Sequence, residues 1–259
     1  MTATLSAPGR ALVRAPVAPM YAEPHVTSIQ ISQRLCGHEV DLLEGQDDWF
    51  LARGVDAYEG WIHRGFLSPV PAIGSRRSSH IARVSLGCVT RLSDGGRRAL
   101  PLGALLSPSE AVKAGEVIDQ PQLPVRFPRD AIAITRSAQD FFQGTSYLWG
   151  GITPWGADCS GFAQTIFALH GVQLPRDAWL QSETGDDAGP LFELRAADLA
   201  FFTDRDDQGV THVAISLGNR RLVHLALGRG GFAVEKLDDK RDPYVAKLRE
   251  RFLKSRRVL

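Results

Sequence analysis

The spacing of apolar residues changes near residue 129, and this change restricts the possible fold of the chain most strongly. Residues 16–70 contain short strand-like runs separated by Gly, Asp and Pro, and residues 79–128 continue the pattern more weakly. Closely spaced short strands of this kind indicate small β-barrels or sandwiches. From residue 129 onward, apolar residues recur at helical spacing in two segments, each of which ends at a glycine.

Strand-like runs return after the two helical segments, as ADLAFFT, THVAISLG, RRLVHLAL and FAVEKL, and the last segment, PYVAKLRERFLKS, has helical spacing. Helices followed by an antiparallel meander predict an α+β domain. The sequence therefore predicts an arm and first β-module in residues 1–72, a second, divergent module with a linker in residues 79–128, and an α+β domain in residues 129–259.

Composition argues against several classes of partner. The chain has 259 residues and a net charge of +1, with no block of basic residues and no apolar run of membrane-spanning length. The first twenty residues lack a continuous apolar segment, because Arg10 and Arg14 interrupt them. We therefore expect no secretory signal, no nucleic acid, no membrane and no obligatory protein partner.

The three cysteines, Cys36, Cys88 and Cys159, are odd in number and widely separated. They match neither a disulfide framework nor a zinc spacing, which favours a reducing cytoplasm. Cys159 lies within DCSG, where a helix is predicted to begin. Unpaired N–H groups and the helix dipole at such a position favour the thiolate, which is the nucleophilic form. The alternative is a small buried cysteine that fills a gap, and only a base partner decides between the two.

Glycines surround this cysteine on both sides. Gly150, Gly151 and Gly156 precede it and allow close backbone approaches. Gly161 follows it and is expected to let a second helix or a substrate come near.

Two histidines are candidates for the base. His212 and His224 lie on neighbouring predicted strands, each on the face opposite the alternating apolar residues. With a loop of odd length between the strands, the two side chains are expected to lie directly opposite each other, whereas a two-residue loop without a bulge would separate them. One imidazole would take the thiol proton and the other would fix its orientation. A zinc pair is the competing hypothesis, but a third ligand is missing.

The segments YLWGG, GADCSGF, LPRDAWLQ, ADLAFF, THVAISLG and LVH occur in this order and resemble the NlpC/P60 cysteine peptidases. The resemblance implies a papain-like α+β core and an enzyme that needs no metal or organic cofactor. It further implies catalytic roles for Cys159 as nucleophile, His212 as base, His224 as third residue and Tyr147 in the oxyanion region, and substrate contacts by Trp149, Asp158, Ser160 and Thr211.

The N-terminal part, with its YEGWI segment, resembles a bacterial SH3 domain. Two SH3-like modules before the peptidase domain are similar to the YkfC-like γ-D-glutamyl-L-diamino acid endopeptidases. That subfamily cleaves murein stem peptides of the type L-Ala-γ-D-Glu-diamino acid, with meso-diaminopimelate or L-Lys as the diamino acid, and the resemblance implies a cytoplasmic recycling enzyme. Glu23 and Tyr58 are the residues expected to contact the free alanine amine, with Asp158 beside it.

Two departures from the family pattern concern substrate details. Ala178 replaces a common serine, and the second module lacks a Gly-Trp signature. Two other functions stay open: a secreted or surface peptidoglycan hydrolase or amidase with the same Cys-His-His triad, and a non-catalytic wall-binding protein with a decayed peptidase domain.

Overall fold

The computed structural model describes residues 5–70, 82–92 and 95–259, which form two compact units, Met1–Leu123 and Pro124–Leu259. The boundary between the units lies slightly before the predicted start of the peptidase domain at residue 129. The first β-module is predicted to end at residue 72 and the second to begin at residue 79, and both of these positions lie outside the described residues.

The first β-module is a single antiparallel sheet whose strand order is β3-β2-β6-β5-β4-β1-β7. Alternation of buried and exposed residues along its strands places one apolar face inside, where Met20, Leu42 and Ile62 are almost fully buried. The strands are β1 (Gly9–Val13), β2 (Val17–Tyr21), β3 (Gln30–Leu35), β4 (Glu39–Gln46), β5 (Trp49–Arg53), β6 (Glu59–His63) and β7 (Leu67–Pro69).

The second β-module is a smaller antiparallel sheet, in which β8 pairs with β9, β10 and β11. A ring nitrogen of His38 from the first module lies 3.0 Å from the Gly103 carbonyl, and the Leu105 N–H donates to the Cys36 carbonyl at 2.8 Å. These bonds tie the two β-modules together. The strands are β8 (Arg83–Arg91), β9 (Arg97–Leu100), β10 (Leu105–Leu106) and β11 (Val112–Asp119), and the single helical turn α1 (Leu123–Arg126) follows.

The C-terminal unit packs helices against one six-stranded sheet of order β14-β19-β15-β16-β17-β18. The helix α2 (Ala131–Phe142) begins at Asp130, whose side chain accepts the N–H groups of Ile132 and Ala133. It ends before Gly144, which has a φ of 81°. The remaining elements are β12 (Ile152–Thr153), β13 (Gly156–Ala157), α3 (Cys159–Leu169), α4 (Ala178–Gln181), β14 (Asp186–Asp187), β15 (Ala196–Phe202), β16 (His212–Gly218), β17 (Arg221–Ala226), β18 (Gly231–Lys236), α5 (Pro243–Glu250) and β19 (Phe252–Arg257).

The α+β architecture predicted for this part of the chain is confirmed, but the last segment is helical only up to Glu250. Its second half forms β19, which pairs with β15 in the interior of the sheet. Arg257 at its end makes a bidentate ion pair with Asp198, whose side chain is almost fully buried. Pairing with β15 overrides the helical spacing of this segment.

In the part of the chain that the structure describes, no helix combines the length and the apolar character needed to cross a membrane.

Candidate active site

Cys159 is the first residue of α3, as the sequence predicted. The preceding Asp158 caps the helix, because its carboxylate accepts the Gly161 N–H at 2.7 Å.

A Cβ atom on Gly161 would lie 2.1 Å from the Gly151 carbonyl oxygen. Gly161 therefore makes room for the upstream loop, and not for a second helix or a substrate as expected. The glycines before Cys159 do permit close approach, since a Cβ on Gly151 would meet the Gly156 oxygen at 2.3 Å.

Asp158 belongs to a buried ion pair with Arg176. The guanidinium donates to both carboxylate oxygens, at 3.0 and 2.6 Å, and the two side chains are 1% and 7% exposed. Asp158 also accepts the Gly150 N–H, while the Ser160 hydroxyl lies between the carboxylate and Arg176. The substrate contacts expected of Asp158 and Ser160 stay predictions. Both side chains are buried and bonded within the chain, where they hold the start of α3 in place.

The Cys159 thiol is buried at the start of α3 and bonds the backbone N–H of Val213, the residue after His212. This contact places the cysteine beside the N-terminal end of β16, where Val213 is the second residue. Burial raises the pKa of the Cys159 thiol to about 12, and the charge of Asp158 adds to the increase. Burial therefore acts against the backbone N–H groups at the helix start, which favour the thiolate.

The β16–β17 hairpin places both candidate histidines on one face of the sheet. Its loop has two residues, Asn219 and Arg220, both with positive φ. The pairs Ser216–Leu222 and Gly218–Arg221 leave Leu217 as an extra residue in a β-bulge. Without the bulge, the two histidines would lie on opposite faces, because successive side chains alternate.

The histidines are diagonal neighbours, and the expectation that they lie directly opposite each other is wrong. Ile215 pairs with Val223, so the next pair along the register places His224 opposite Ala214. The rings still meet across the diagonal, with 2.9 Å between His212 Nε2 and His224 Nδ1.

The two histidines differ in their exposure. The side chain of His224 is fully buried, whereas His212 is partly accessible. Burial, together with the proximity of His224, lowers the pKa of His212 well below its usual value near 6.5. A neutral imidazole can accept a proton, so His212 is suited to be a base toward a protonated thiol.

The carboxylate of Glu235 lies on the side of His224 that faces away from His212. Glu235 Oε1 on β18 is 3.3 Å from His224 Nε2, and the carboxylate is 5% exposed. Arg229 donates to its two oxygens at 2.8 and 2.9 Å, and the same guanidinium pairs with Asp242 and stacks over the Tyr244 ring.

Tyr147 lies beside the nucleophile. Its backbone bridges to Ala157 and donates to the Gly230 carbonyl at 3.0 Å. Burial, with the nearby Cys159 and Asp158, raises the pKa of its phenol above the usual value near 10. Tyr147 therefore keeps its proton at neutral pH and can donate a hydrogen bond on the cysteine side of the site.

The remaining predicted substrate residues are accessible. Trp149 is 61% exposed in the loop before Cys159, and Thr211 is exposed directly before His212. In the N-terminal unit, the Glu23 carboxylate is exposed and lies 2.9 Å from His25 Nε2. Tyr58 is half-buried there, and its backbone is held by the buried Arg34–Asp56 ion pair.

Sequence reasoning missed Arg176 and the group formed by Glu235, Arg229 and Asp242. Arg176 stands in LPRDAWLQ, where nothing local marks an arginine as buried. Glu235 does leave a signal, because it is the one acid in the strand run FAVEKL and directly follows three apolar residues. Across the described ranges 5–70, 82–92 and 95–259, no group of three or more His, Cys, Asp or Glu side chains is arranged to hold a metal ion.

Comparison with known proteins agrees with this geometry. The NlpC/P60 family model matches residues 144–249. The gamma-D-glutamyl-L-lysine dipeptidyl-peptidase of Bacillus subtilis (strain 168) is 29% identical over 214 residues, which cover 74% of this chain and 71% of that protein. Dipeptidyl-peptidase 6 of Lysinibacillus sphaericus is 25% identical over an alignment that spans 90% of this chain and 94% of that protein.

The fold has a counterpart among solved structures. The crystal structure of an NlpC/P60 family protein from Bacillus cereus ATCC 10987 superimposes with a TM-score of 0.79 over 97% of this chain and 100% of that one, at 19% identity. The N-terminal β-modules accordingly fit SH3-like domains. Residues 144–249 thus match an NlpC/P60 domain, and the relatives named above indicate a cysteine peptidase.

Proposed function

We propose that this chain is a γ-D-glutamyl-L-diamino acid endopeptidase that acts on free murein stem peptides through Cys159, His212 and His224. The observation that carries the proposal is the meeting of the α3 start with the β16–β17 hairpin, where the Cys159 thiol contacts the residue after His212 and His212 contacts His224. The relatives named gamma-D-glutamyl-L-lysine dipeptidyl-peptidase and dipeptidyl-peptidase 6 support this reaction class.

The reaction proceeds in two acyl-transfer steps. His212 takes the Cys159 proton as the sulfur attacks the γ-carbonyl of D-Glu, and it then gives this proton to the leaving amine of the diamino acid. Water, deprotonated by His212, next attacks the thioester and releases L-Ala-γ-D-Glu, and His212 returns the proton to the Cys159 sulfur. Because thiol and imidazole both start neutral, proton transfer accompanies attack in this scheme.

Tyr147 is the proposed donor to the oxyanion that forms in both steps. Its phenol stays protonated beside Cys159, and a hydrogen bond to developing negative charge stabilises the transition state more than the ground state.

The lowered pKa of His212 predicts the acid limb of the pH profile. Only the neutral imidazole accepts the thiol proton, so activity falls as pH drops through the pKa of His212. Since burial and His224 hold that pKa well below 6.5, the acid-side midpoint of kcat/KM should lie well below pH 6.5. Initial rates measured between pH 4 and 9 check this, and an acid midpoint at or above pH 6.5 would argue against a buried neutral base.

The proposed substrates carry a free N-terminal L-alanine. Its ammonium group needs an anionic acceptor, and the exposed carboxylate of Glu23 is assigned this role together with Tyr58. Asp158 is predicted to lie beside this amine, and in the structure its carboxylate pairs with Arg176. The diamino acid is meso-diaminopimelate or L-Lys.

Recognition of the free amine predicts a selectivity that can be measured. We expect L-Ala-γ-D-Glu-diamino acid peptides to be cleaved, and the same peptides with an N-acetyl group or intact sacculi to resist, because acetylation removes the charge that pairs with a carboxylate. Glu23→Gln should lower kcat/KM on the free peptide by about tenfold, the loss of one charge-assisted hydrogen bond. Equal cleavage of free and blocked peptides, or efficient digestion of sacculi, would favour a secreted wall hydrolase.

The proposed compartment is the cytoplasm. Cys88 and Cys159 are free thiols in the structure, as expected of a protein kept in a reducing environment. Free stem peptides for recycling are the substrates that this location would supply.

A further inference from the structure

Three polar side chains form a continuous line across one face of the sheet. His212, His224 and Glu235 lie on the consecutive strands β16, β17 and β18. The contacts are 2.9 Å between His212 Nε2 and His224 Nδ1, and 3.3 Å between His224 Nε2 and Glu235 Oε1. His224 contributes one ring nitrogen to each contact. In a neutral ring only one nitrogen carries the proton, so a partner that requires the proton on one nitrogen leaves the other nitrogen unprotonated.

The far end of this line is an ionised carboxylate. Burial alone would raise the pKa of Glu235, but the bonds from His224 and Arg229 lower it below the usual value. Arg229 engages both oxygens. An ionised carboxylate has no proton to donate, so it can only accept from His224 Nε2.

The Glu235 carboxylate determines where the ring protons of His224 and His212 lie. A neutral His224 that carries its proton on Nε2 has a lone pair on Nδ1. This lone pair accepts from His212, which must then carry its own proton on Nε2. The remaining ring nitrogen of His212, Nδ1, is therefore unprotonated and available to the Cys159 thiol.

We propose that Glu235, held by Arg229, is a positioning residue that sets the tautomers of both histidines and so leaves the base lone pair of His212 on Nδ1. This assignment rests on the proposed catalytic function and extends it by one residue that touches neither substrate nor thiol. His224 and Glu235 are 0% and 5% exposed, so solvent does not compete for these protons.

The opposite arrangement explains why the carboxylate matters. A proton on His224 Nδ1 would have to point at His212 Nε2, and His212 would then hold its proton on Nδ1. The thiol would face an N–H group in place of a lone pair. An amide in place of a triad carboxylate is known to produce such a wrong tautomer in serine proteases.

The direct test is the tautomeric state of the two rings in the full-length wild-type protein. Side-chain ¹⁵N spectra of histidine-labelled protein, assigned with His212→Gln and His224→Gln, should show protonated Nε2 and unprotonated Nδ1 for both residues near pH 8. A proton on His224 Nδ1 or on His212 Nδ1 would overturn the proposal. This measurement needs no turnover. The tautomer assignment can therefore be wrong while the proposed peptidase reaction is right, and the peptidase reaction can be wrong while the tautomer assignment is right.

Two variants separate positioning from simple packing. In Glu235→Gln, one amide oxygen replaces two carboxylate oxygens for three donors, so the Nε2 tautomer of His224 should lose population. We expect kcat to fall by roughly tenfold to a hundredfold, as for outer partners of other functional histidines, with KM nearly unchanged. Asp242→Asn is the matched control, because Asp242 also pairs with Arg229 but does not contact the histidines, and Asn caps α5 as well as Asp does.

The control should keep wild-type tautomers and kcat within about twofold, since Glu235 still accepts from Arg229 and His224. Unchanged kcat and unchanged ¹⁵N shifts in folded Glu235→Gln would contradict the proposal, as would an equal loss of kcat in Asp242→Asn. If Glu235→Gln does not fold, the wild-type tautomers alone decide.

Discussion

Replacing Cys159 with alanine should reduce turnover by a factor on the order of 10⁴ or more, because the variant has no atom that can form the thioester. The fold should persist. Cys159 is the first residue of α3, where alanine is a favourable helix former, and the cap from Asp158 does not involve the sulfur. Peptide hydrolysis followed by liquid chromatography, together with circular dichroism of the same sample, measures both effects.

Cys88→Ala provides the control for the loss of a buried thiol. Cys88 is also buried, but it lies on β8 in the N-terminal unit, where its sulfur accepts from the Ser85 hydroxyl. Activity of this control should stay near wild type. Substantial hydrolysis by folded Cys159→Ala would show that another group performs the nucleophilic step.

Replacing Arg176 with methionine should have the largest effect on stability. The substitution leaves the Asp158 carboxylate buried without its cation, and removal of one partner from a buried ion pair costs about 3–5 kcal/mol. Arg176 is 1% exposed and reaches from the LPRDAWLQ segment to Asp158 and Ser160 at the start of α3, so lost packing adds to the cost. Equilibrium urea unfolding measures the change in the free energy of unfolding.

A double variant separates the charge from the packing. Asp158→Asn with Arg176→Met removes both charges and keeps a side chain that caps helices well, so part of the lost stability should return. A loss of less than about 1 kcal/mol in Arg176→Met alone would mean that the pair contributes no more than an exposed one.

The parts of the site that depend on local pattern could be predicted from the sequence. The spacing of apolar residues placed the start of α3 at Cys159, and strand alternation placed His212 and His224 on the face away from the apolar set. The direct register between the histidines was wrong because the turn lies at Asn219 and Arg220, which places His224 opposite Ala214. The bulge at Leu217 keeps both rings on one face, and a bulge has no unambiguous sequence mark.

The long-range partners and the electrostatics could not be predicted. Arg176 reaches Asp158 only because the chain folds back after α3, and Glu235 meets His224 only once β18 has paired with β17. The raised pKa of Cys159 depends on burial in the assembled domain, whereas the sequence showed only the helix terminus that opposes it.

The identity of the cleaved bond tests the central claim most directly. Purified full-length protein is incubated with L-Ala-γ-D-Glu-meso-diaminopimelate and with L-Ala-γ-D-Glu-L-Lys, and the products are identified by mass spectrometry. The account predicts L-Ala-γ-D-Glu and the free diamino acid as the only products from at least one peptide, with neither formed by Cys159→Ala. Release of free L-alanine, or no cleavage of either peptide by the folded wild-type protein, would contradict it.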